Sequence, residues 1–123
     1  MKTKTKSRKY LKRKADRLWS EIIKSKGRCE MCGKPANNPH HIVGRRNHAL
    51  RWDIRNGCLL CANCHTFSKF SAHQDPIGFL EWFKIVRNDD YEYLLSKRNE
   101  VWDKDYDKVI KDLEEVKNEI IST

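Results

Sequence analysis

Long apolar runs are missing from this sequence of 123 residues, of which only 38% are apolar. No stretch approaches the ~20 apolar residues that a membrane-spanning helix needs. The basic N-terminus also lacks the apolar core of a secretory signal. We therefore expect a soluble, cytoplasmic protein that has no membrane partner. A single domain with so few apolar residues has a small core, and such domains often depend on a bound metal.

Acidic residues are scarce in the first part of the chain and abundant in the last. Residues 1–28 contain 12 Lys or Arg against 2 acids, and residues 29–87 contain 8 against 4. Residues 88–123 reverse the balance with 6 against 11, and the net charge of the whole chain is +9. This pattern divides the chain into a basic N-terminal arm and helix, a basic middle and an acidic C-terminal segment. The first two segments favour a polyanion as partner, although the first seven residues could equally be a solvated arm.

Proline and glycine are few, and most of them lie between residues 27 and 57. On either side of that stretch, apolar residues recur at helical spacing. The pattern predicts a helix over residues 8–25 that ends at Gly27, another that begins at Asp75 and Pro76, and a last one from about 90 to 120. Between the first two, we expect short extended pieces around 41–44 and 59–60, and a helix could open at Ala62.

The last predicted helix carries an apolar stripe whose members alternate steps of four and three, which is heptad spacing. The stripe consists of Trp102, Tyr106, Val109, Leu113, Val116 and Ile120. It could pack against the N-terminal helix, or it could pair two copies of the chain into a homodimer through residues 90–120. Both arrangements bury the stripe, so its spacing leaves both open.

Two Cys-x-x-Cys pairs form the strongest metal-binding pattern. Cys29 and Cys32 make the first pair, and Cys61 and Cys64 make the second. Four thiolates around one zinc ion form a closed structural site, which keeps no open position for chemistry. Cys58 has the same spacing to Cys61, but we interpret Cys58 as a buried apolar residue. A thioredoxin-type redox role would need a βαβ setting, which this sequence lacks.

Histidines cluster around these pairs. His40 and His41 are adjacent, and His65 comes directly after the second pair. Because neighbouring side chains on a strand point to opposite faces, one of the adjacent histidines can face a metal while the other faces a water molecule or a substrate. A metal held by a few imidazoles keeps open positions for a phosphate oxygen. Such a site meets the requirement for hydrolysis of a phosphodiester.

Together these motifs resemble the zinc-containing HNH endonucleases. The resemblance rests on Cys29-Glu-Met-Cys32-Gly33, then His40-His41-Ile42-Val43-Gly44-Arg45, then Asn56-Gly-Cys-Leu-Leu-Cys61-Ala-Asn-Cys64-His65. Residues 79–83 are similar to the segment after the motif in small phage-type members, and a phage-encoded protein would act in the host cytoplasm. The resemblance covers roughly residues 29–83. It implies an α+β fold, namely a ββα-metal core with a four-cysteine zinc site, flanked by N- and C-terminal helices.

The resemblance also implies a role for each matching residue. His40 would ligate a catalytic divalent metal, and His41 would be the general base that activates water. Asn56 would fix the hairpin loop and orient that base, and His65 would be a second ligand of the metal. The identity of that metal stays open among Mg, Mn, Ni and Zn.

One position departs from the resemblance. Relatives often place a further histidine ligand four residues after the Cys-His step, where this chain has Lys69. The next histidine, His73, lies eight residues after His65, which is about 12 Å along an unbroken helix. His73 can therefore be the third ligand only if the chain breaks between residues 68 and 72.

Four arginines lie within eleven residues after the histidine pair, namely Arg45, Arg46, Arg51 and Arg55. Guanidinium groups suit phosphate oxygens, so we expect this loop to contact the DNA backbone. We expect Trp52 to anchor the loop in the core rather than to stack on bases.

The sequence therefore predicts a metal-dependent DNA endonuclease, which as a monomer with one active site would nick. The alternative is a zinc-dependent DNA-binding module without catalysis. Both proteins would bind zinc and DNA, but only the enzyme needs a general base and an open metal site. The set of His41, Asn56 and His65 favours the enzyme.

Overall fold

The computed structural model describes residues 7–122, so the first six residues of the predicted basic arm lie outside the described part. Within it, five α-helices accompany one two-stranded antiparallel sheet. In chain order the elements are α1 (Arg8–Lys24), β1 (Asn38–His41), α2 (His48–Arg51), β2 (Gly57–Leu60), α3 (Pro76–Val86), α4 (Asn88–Lys97) and α5 (Tyr106–Ser122). The predicted α+β class is confirmed.

Helix α1 forms where the sequence predicts it. Ser7 caps its start, because the Ser7 hydroxyl accepts a hydrogen bond from the Tyr10 backbone N–H at 3.2 Å. Gly27 has a φ of +78°, a left-handed conformation that glycine adopts without strain and that stops the helix. The apolar face of α1 is buried against the sheet and the C-terminal helix, and it comprises Ala15, Leu18, Trp19, Ile22 and Ile23.

The two strands pair so that His40 lies opposite Cys58 and His41 lies opposite Gly57. The predicted strand at 59–60 is confirmed, but the other strand occupies 38–41 instead of 41–44. It ends early because the backbone N–H of Val43 bonds to the side chain of Asn56 rather than to a partner strand. At the opposite position, a Cβ on Gly57 would collide with α1, so glycine permits the close approach of helix and sheet.

The helix predicted from Ala62 onward is reduced to one π-helical turn, Asn63–Phe67. The turn is closed by a hydrogen bond from the Ser68 backbone N–H to the Asn63 carbonyl at 3.0 Å. Ser68 then adopts an extended conformation, which ends the helical path. The structure thus shows a hairpin with a single short turn after it, and the finer ββα-metal assignment stays a prediction.

Helix α3 begins at the predicted signal, because the Asp75 carboxylate accepts a hydrogen bond from the Gly78 backbone N–H at 3.0 Å. The prediction of one helix over 90–120 is wrong. Two helices occupy that region, and residues 98–105 separate them. Lys104 in the break has a φ of +64°, and the Asp105 carboxylate caps the new start by accepting from the Lys108 backbone N–H at 3.0 Å.

The apolar stripe of the last segment packs on α1. Ile110 and Leu113 are buried in one cluster with the α1 residues, and Lys117 pairs with Glu21 of α1 at 2.5 Å. Trp102, predicted as a helical member of the stripe, lies in the break and packs on Trp52, which is buried as predicted. The pairing of two copies through residues 90–120 stays a prediction. No helix in residues 7–122 has the length and apolar composition that crossing a bilayer requires.

Two smaller clusters complete the core. One lies beneath the cysteine pairs and includes Cys58, Leu60 and Phe79, so it joins the sheet to α3. The other joins α2, α3 and α4 through Leu50, Phe83 and Leu94. Helices α1 and α3 therefore pack on the sheet, and the residues of the predicted site lie on its strands, in the loop between them or in the segments beside them.

Candidate metal centres and the adjoining cavity

The structure brings together the four cysteines that the sequence predicts as zinc ligands. The Sγ atoms of Cys29, Cys32, Cys61 and Cys64 all lie within 4.8 Å of one another. The Cys32 and Cys61 sulfurs are 3.6 Å apart, close to the ~3.8 Å edge of a tetrahedron with Zn–S bonds of about 2.3 Å. The donor set and its spacing therefore suit a tetrahedral metal such as zinc.

Two tight turns present these thiols. Gly33, with a φ of +79°, reverses the first turn, and its backbone N–H bonds to the Cys29 carbonyl at 2.8 Å. In the second turn the backbone N–H of Cys64 donates to the Cys61 sulfur, and this contact lowers the pKa of Cys61 to about 7. A low pKa favours the thiolate form that binds a metal at Cys61, whereas burial raises the pKa of the Cys64 thiol. Cys58 is not a member of this cluster. It is fully buried, and burial raises the pKa of its thiol.

A second cluster consists of His40, His65 and His73. Each of these histidines offers one ring nitrogen, and the three nitrogens lie within 4.8 Å of one another. The Nε2 atoms of His65 and His73 are 2.9 Å apart, and the His40 ring lies edge-on to both. Two imidazole nitrogens on one metal at about 2.1 Å would be roughly 3.4 Å apart in tetrahedral geometry. The spacing of the ring nitrogens is therefore compatible with a shared cation.

The break required for His73 to reach this cluster is present. After the π-helical turn the chain folds back, and the backbone N–H of His73 donates to the His65 carbonyl at 3.1 Å. The N–H of Ala72 likewise donates to the Cys64 carbonyl at 2.8 Å. These bonds place the two histidines side by side although they are eight residues apart. They also join the histidine cluster to the cysteine cluster, because Cys64 and His65 are neighbours.

Electrostatics keep this histidine cluster ready for a cation. Burial, and after it the neighbouring His65 and His73, lowers the pKa of His40 to about 3. Burial also lowers the pKa of His65. At neutral pH both imidazoles are uncharged and present lone pairs, as a metal ligand must. The Nδ1 of His65 lies 3.3 Å from the Thr66 hydroxyl, and this contact holds its Nε2 toward the cluster.

His41 is not a member of this cluster, and its ring is held on two sides. Its Nε2 lies 2.9 Å from the backbone carbonyl of Arg51. A carbonyl only accepts, so Nε2 carries the proton and Nδ1 keeps the lone pair of a base. The ring stacks on Trp19 of α1, with the centroids 3.9 Å apart and the planes within 7°. Burial lowers the pKa of His41 below 6.5, so the imidazole is neutral at pH 7.

Asn56 is fully buried and uses its amide to hold the loop after β1. Its Oδ1 accepts from the Val43 N–H at 2.7 Å, and its Nδ2 donates to the carbonyls of Val43 and Leu50 at 2.9 and 3.0 Å. The residue after Leu50 is Arg51, whose carbonyl holds His41. Asn56 therefore bonds to both ends of the segment from Val43 to Leu50, and the next residue is the one whose carbonyl bonds to His41.

Asp16 of α1 completes this support, and the sequence prediction did not include it. Its carboxylate accepts two hydrogen bonds from the Arg51 guanidinium, at 2.9 and 2.8 Å, and one from the Trp52 indole at 2.7 Å. The sequence did contain a signal for this role, because Asp16 is the only acidic residue among the first 20. Trp19 was also missed, since an apolar helical position does not reveal what it will stack on.

The predicted DNA-binding arginines divide into two kinds. Arg51 has only 9% of its side chain exposed and pairs with Asp16. Arg55 pairs with Asp90 at 2.7 Å and lies over the Tyr93 ring. Both guanidinium groups therefore pair with carboxylates of the protein, although the Arg55 side chain keeps 41% of its surface exposed. The remaining two arginines of the predicted set, Arg45 and Arg46, are exposed to solvent.

These two exposed arginines line the cavity that contains the histidines. The cavity has a volume of ≈ 900 Å³ and includes His40, His41, His65 and His73, but no acidic side chain. A smaller cavity of ≈ 420 Å³ shares Arg45 and Arg46 and adds Lys12, His48 and Arg51 to its lining. The two cavities form a continuous cationic surface beside the histidine cluster. Lys12 was missed because it is one of many lysines in the N-terminal segment.

The geometry of the site thus rests on two side-chain clusters, a held histidine and a basic cavity. No family model matches the chain, and no curated protein and no solved structure matches it either.

Proposed function

We propose that this protein is a metal-dependent DNA endonuclease of the HNH kind that nicks one strand at a time. The observation that carries the proposal is that one cavity contains both a three-histidine cluster and a separate, oriented histidine. That cavity has basic residues and no acids in its lining. A binding module would need the basic surface but neither of the two histidine arrangements.

The residues divide the chemistry among them. A cation held by His40, His65 and His73 would supply positive charge for the scissile phosphate and the departing 3′-oxygen. His41 takes a proton from a water molecule on Nδ1, while its Nε2–H stays bonded to the Arg51 carbonyl. The activated water attacks phosphorus, the bond to the 3′-oxygen breaks, and that oxygen takes up a proton from solvent, while His41 later releases its proton to solvent. The products are a 5′-phosphate and a 3′-hydroxyl.

The four-cysteine site would hold zinc in a structural role. All four positions of a tetrahedral ion are filled by thiolates, so no water can be activated there. Its contribution is to join the loop before β1 to the turn after β2. That turn also carries His65, so the structural site positions one ligand of the second cluster.

The DNA backbone would lie along the basic surface formed by Lys12, Arg45 and Arg46. These side chains line the two cavities, and neither Arg46 nor Lys12 takes part in an ion pair found among residues 7–122. Arg45 has a weak contact with Asp16 at 3.5 Å and is 62% exposed. We leave Arg51 and Arg55 out of this set, because both guanidinium groups already pair with carboxylates of the protein, although Arg51 lines the smaller cavity.

Relaxation of supercoiled plasmid tests the catalytic part. Wild type, His41→Ala and His41→Gln are purified with zinc, and Mg or Mn is then added to each. Glutamine can still donate to the Arg51 carbonyl from the place of Nε2, but it has no basic nitrogen. At a temperature where all three proteins are folded, we expect wild type to nick, and both variants to be at least ~100-fold slower with zinc content unchanged. Equal nicking by wild type and variants would refute His41 as the base.

Binding to a short duplex tests the surface. We expect Arg46→Ala to weaken binding and to reduce the slope of log K against log salt by about one. Lys111→Ala on α5 removes an equal charge away from the cavity and should have little effect. DNA binding without any nicking, in all metals, would favour the zinc-dependent binding module instead.

A further inference from the structure

Phe67 and Phe70 are exposed to a degree that is unusual for phenylalanine. The exposed fractions of the two residues are 73% and 66%. Both lie in the segment that joins His65 to His73, the two histidines of the cluster that this segment brings together. Large apolar side chains that remain in solvent next to a functional site commonly mark a binding surface.

This segment is held firmly, so the two rings do not simply belong to a loose loop. Ser71 is fully buried, and Gln74 donates from its side chain to the Thr66 carbonyl at 3.1 Å. The backbone N–H of Phe70 donates to the Ser68 hydroxyl at 3.1 Å. The segment thus has its own internal bonds on both sides of the phenylalanines. The rings remain outside the core although the backbone beneath them is fixed.

The charge around the two rings suits a nucleic acid. Lys69 stands between them in sequence, and its Nζ lies 5.0 Å from the centre of the Phe70 ring. A cation beside a flat ring can meet a phosphate while the ring meets the attached base. The cavity that contains His65 and His73, the two ends of this segment, is not lined by either phenylalanine, but it has arginines and no acids in its lining. This basic charge would not attract an apolar protein surface. It would attract a polyanion.

We propose that Phe67 and Phe70 form a stacking platform for unpaired bases, and that the preferred substrate is DNA with unpaired bases beside the cut. This inference rests on the proposed function. The bases of an intact duplex are already stacked on one another, so an aromatic side chain can compete for them only at the cost of unstacking. Bases in a single strand, a bubble or a flap are free to stack on the platform. The two rings would then discriminate by DNA structure rather than by sequence.

The test measures binding without any cleavage. A single-stranded oligonucleotide and a duplex of the same sequence each carry 2-aminopurine, a base whose fluorescence is quenched by stacking. Zinc-loaded protein is titrated without added Mg or Mn. We expect tighter binding and stronger quenching with the single strand. Phe67→Ala and Phe70→Ala should each weaken single-strand binding about five- to tenfold and leave duplex binding nearly unchanged.

Two further variants make the result specific. Phe70→Tyr keeps a flat ring and should restore both the affinity and the quenching. Ile85→Ala removes an exposed apolar side chain from the last turn of α3 and should change neither. Equal affinity for single strand and duplex, or unchanged single-strand binding by both alanine variants, would overturn the platform.

The outcomes also separate this inference from the proposed function. Failure to bind any DNA would remove both. Binding and nicking of duplex DNA, with no response to Phe67→Ala and Phe70→Ala, would remove the platform alone. Sedimentation at several protein concentrations tests whether a second copy of the chain covers the phenylalanines instead. If the same two variants abolish self-association and leave DNA binding intact, a second copy of the chain covers the phenylalanines and the platform is refuted.

Discussion

Replacing Asp16 by asparagine tests whether α1 supports the site. The substitution removes a charge but almost no volume. Arg51 then keeps a guanidinium with 9% side-chain exposure and loses its ionic partner, and the Trp52 indole faces an amide that can accept fewer hydrogen bonds. Removal of one partner from a buried ion pair costs about 3–5 kcal/mol.

The expected cost is at the low end because the Asp16 carboxylate is 29% exposed. Water can then partly solvate the unpaired guanidinium. We expect the free energy of unfolding to fall by about 2–3 kcal/mol, which lowers the thermal midpoint by about 6–12 °C for a chain of this length. Circular dichroism melts of zinc-loaded protein measure this shift. Asp112→Asn on the exposed face of α5 removes the same charge and should shift the midpoint by no more than about 2 °C.

A double variant examines the assigned cause. In Asp16→Asn with Arg51→Met, the uncompensated cation is gone, so the combined loss should be smaller than the sum of the two single losses. Additive losses, or a shift for Asp16→Asn as small as that of Asp112→Asn, would refute the reasoning. Since the backbone of Arg51 holds His41, Asp16→Asn should also slow nicking well below its melting temperature.

The pH dependence of this contribution has a definite sign. Burial raises the pKa of Asp16, but hydrogen bonds from Arg51 and Trp52 outweigh it, and the net pKa lies below the ordinary 3.8. A depressed folded pKa stabilises the protein fully above the unfolded pKa, and this stability is lost as pH falls through the folded pKa. The difference in free energy of unfolding between wild type and Asp16→Asn should therefore be the same at about pH 6 and about pH 8.

Three other predictions concern the two clusters and the stacked histidine. Cys32→Ser should lose the zinc and the cooperative melt, whereas Cys58→Ser should keep one zinc per chain; elemental analysis and calorimetry separate them. His73→Ala should raise the concentration of Mg or Mn for half-maximal nicking at least ~10-fold without change in zinc content, and an unchanged titration would exclude His73 as a ligand. Trp19→Phe keeps a ring on His41 and should nick nearly as wild type. Trp19→Leu removes the ring and should be about tenfold slower, in single-turnover rates at a temperature where both variants are folded; equal rates would show that stacking does not position the base.

The features that could be predicted from the sequence depend on short spacing. The apolar period of residues 8–25 and the cap signal at Asp75 act within one or two turns of a helix, so α1 and the start of α3 agree with the prediction. A Cys-x-x-Cys pair presents two thiols from one turn wherever that turn lies. Two such pairs provide the four ligands of one tetrahedral metal, and the structure brings the four thiols together.

The predictions that were wrong concern local competition that periodicity does not measure. The predicted helix over 90–120 includes residues 98–105, where the heptad stripe begins at Trp102, but the carboxylates there bond to backbone N–H groups and interrupt the helix. The sequence of residues 41–44 suits a strand, but the Val43 backbone N–H donates to the Asn56 side chain instead of to a partner strand. In both cases a polar side chain offered the backbone an alternative partner.

Residue type and spacing marked His40, His41 and His65 as candidates, and the resemblance to HNH endonucleases added Asn56. The residues that hold these candidates in place could not be predicted from the sequence. Asp16 and Trp19 reach the site from α1 across more than 20 residues, and the packing of α5 on α1 holds that helix in place. Such contacts arise from many weak interactions between distant segments, and no short pattern in the sequence encodes them. The same reason applies to His73, whose place beside His65 depends on how the chain folds back after Phe67.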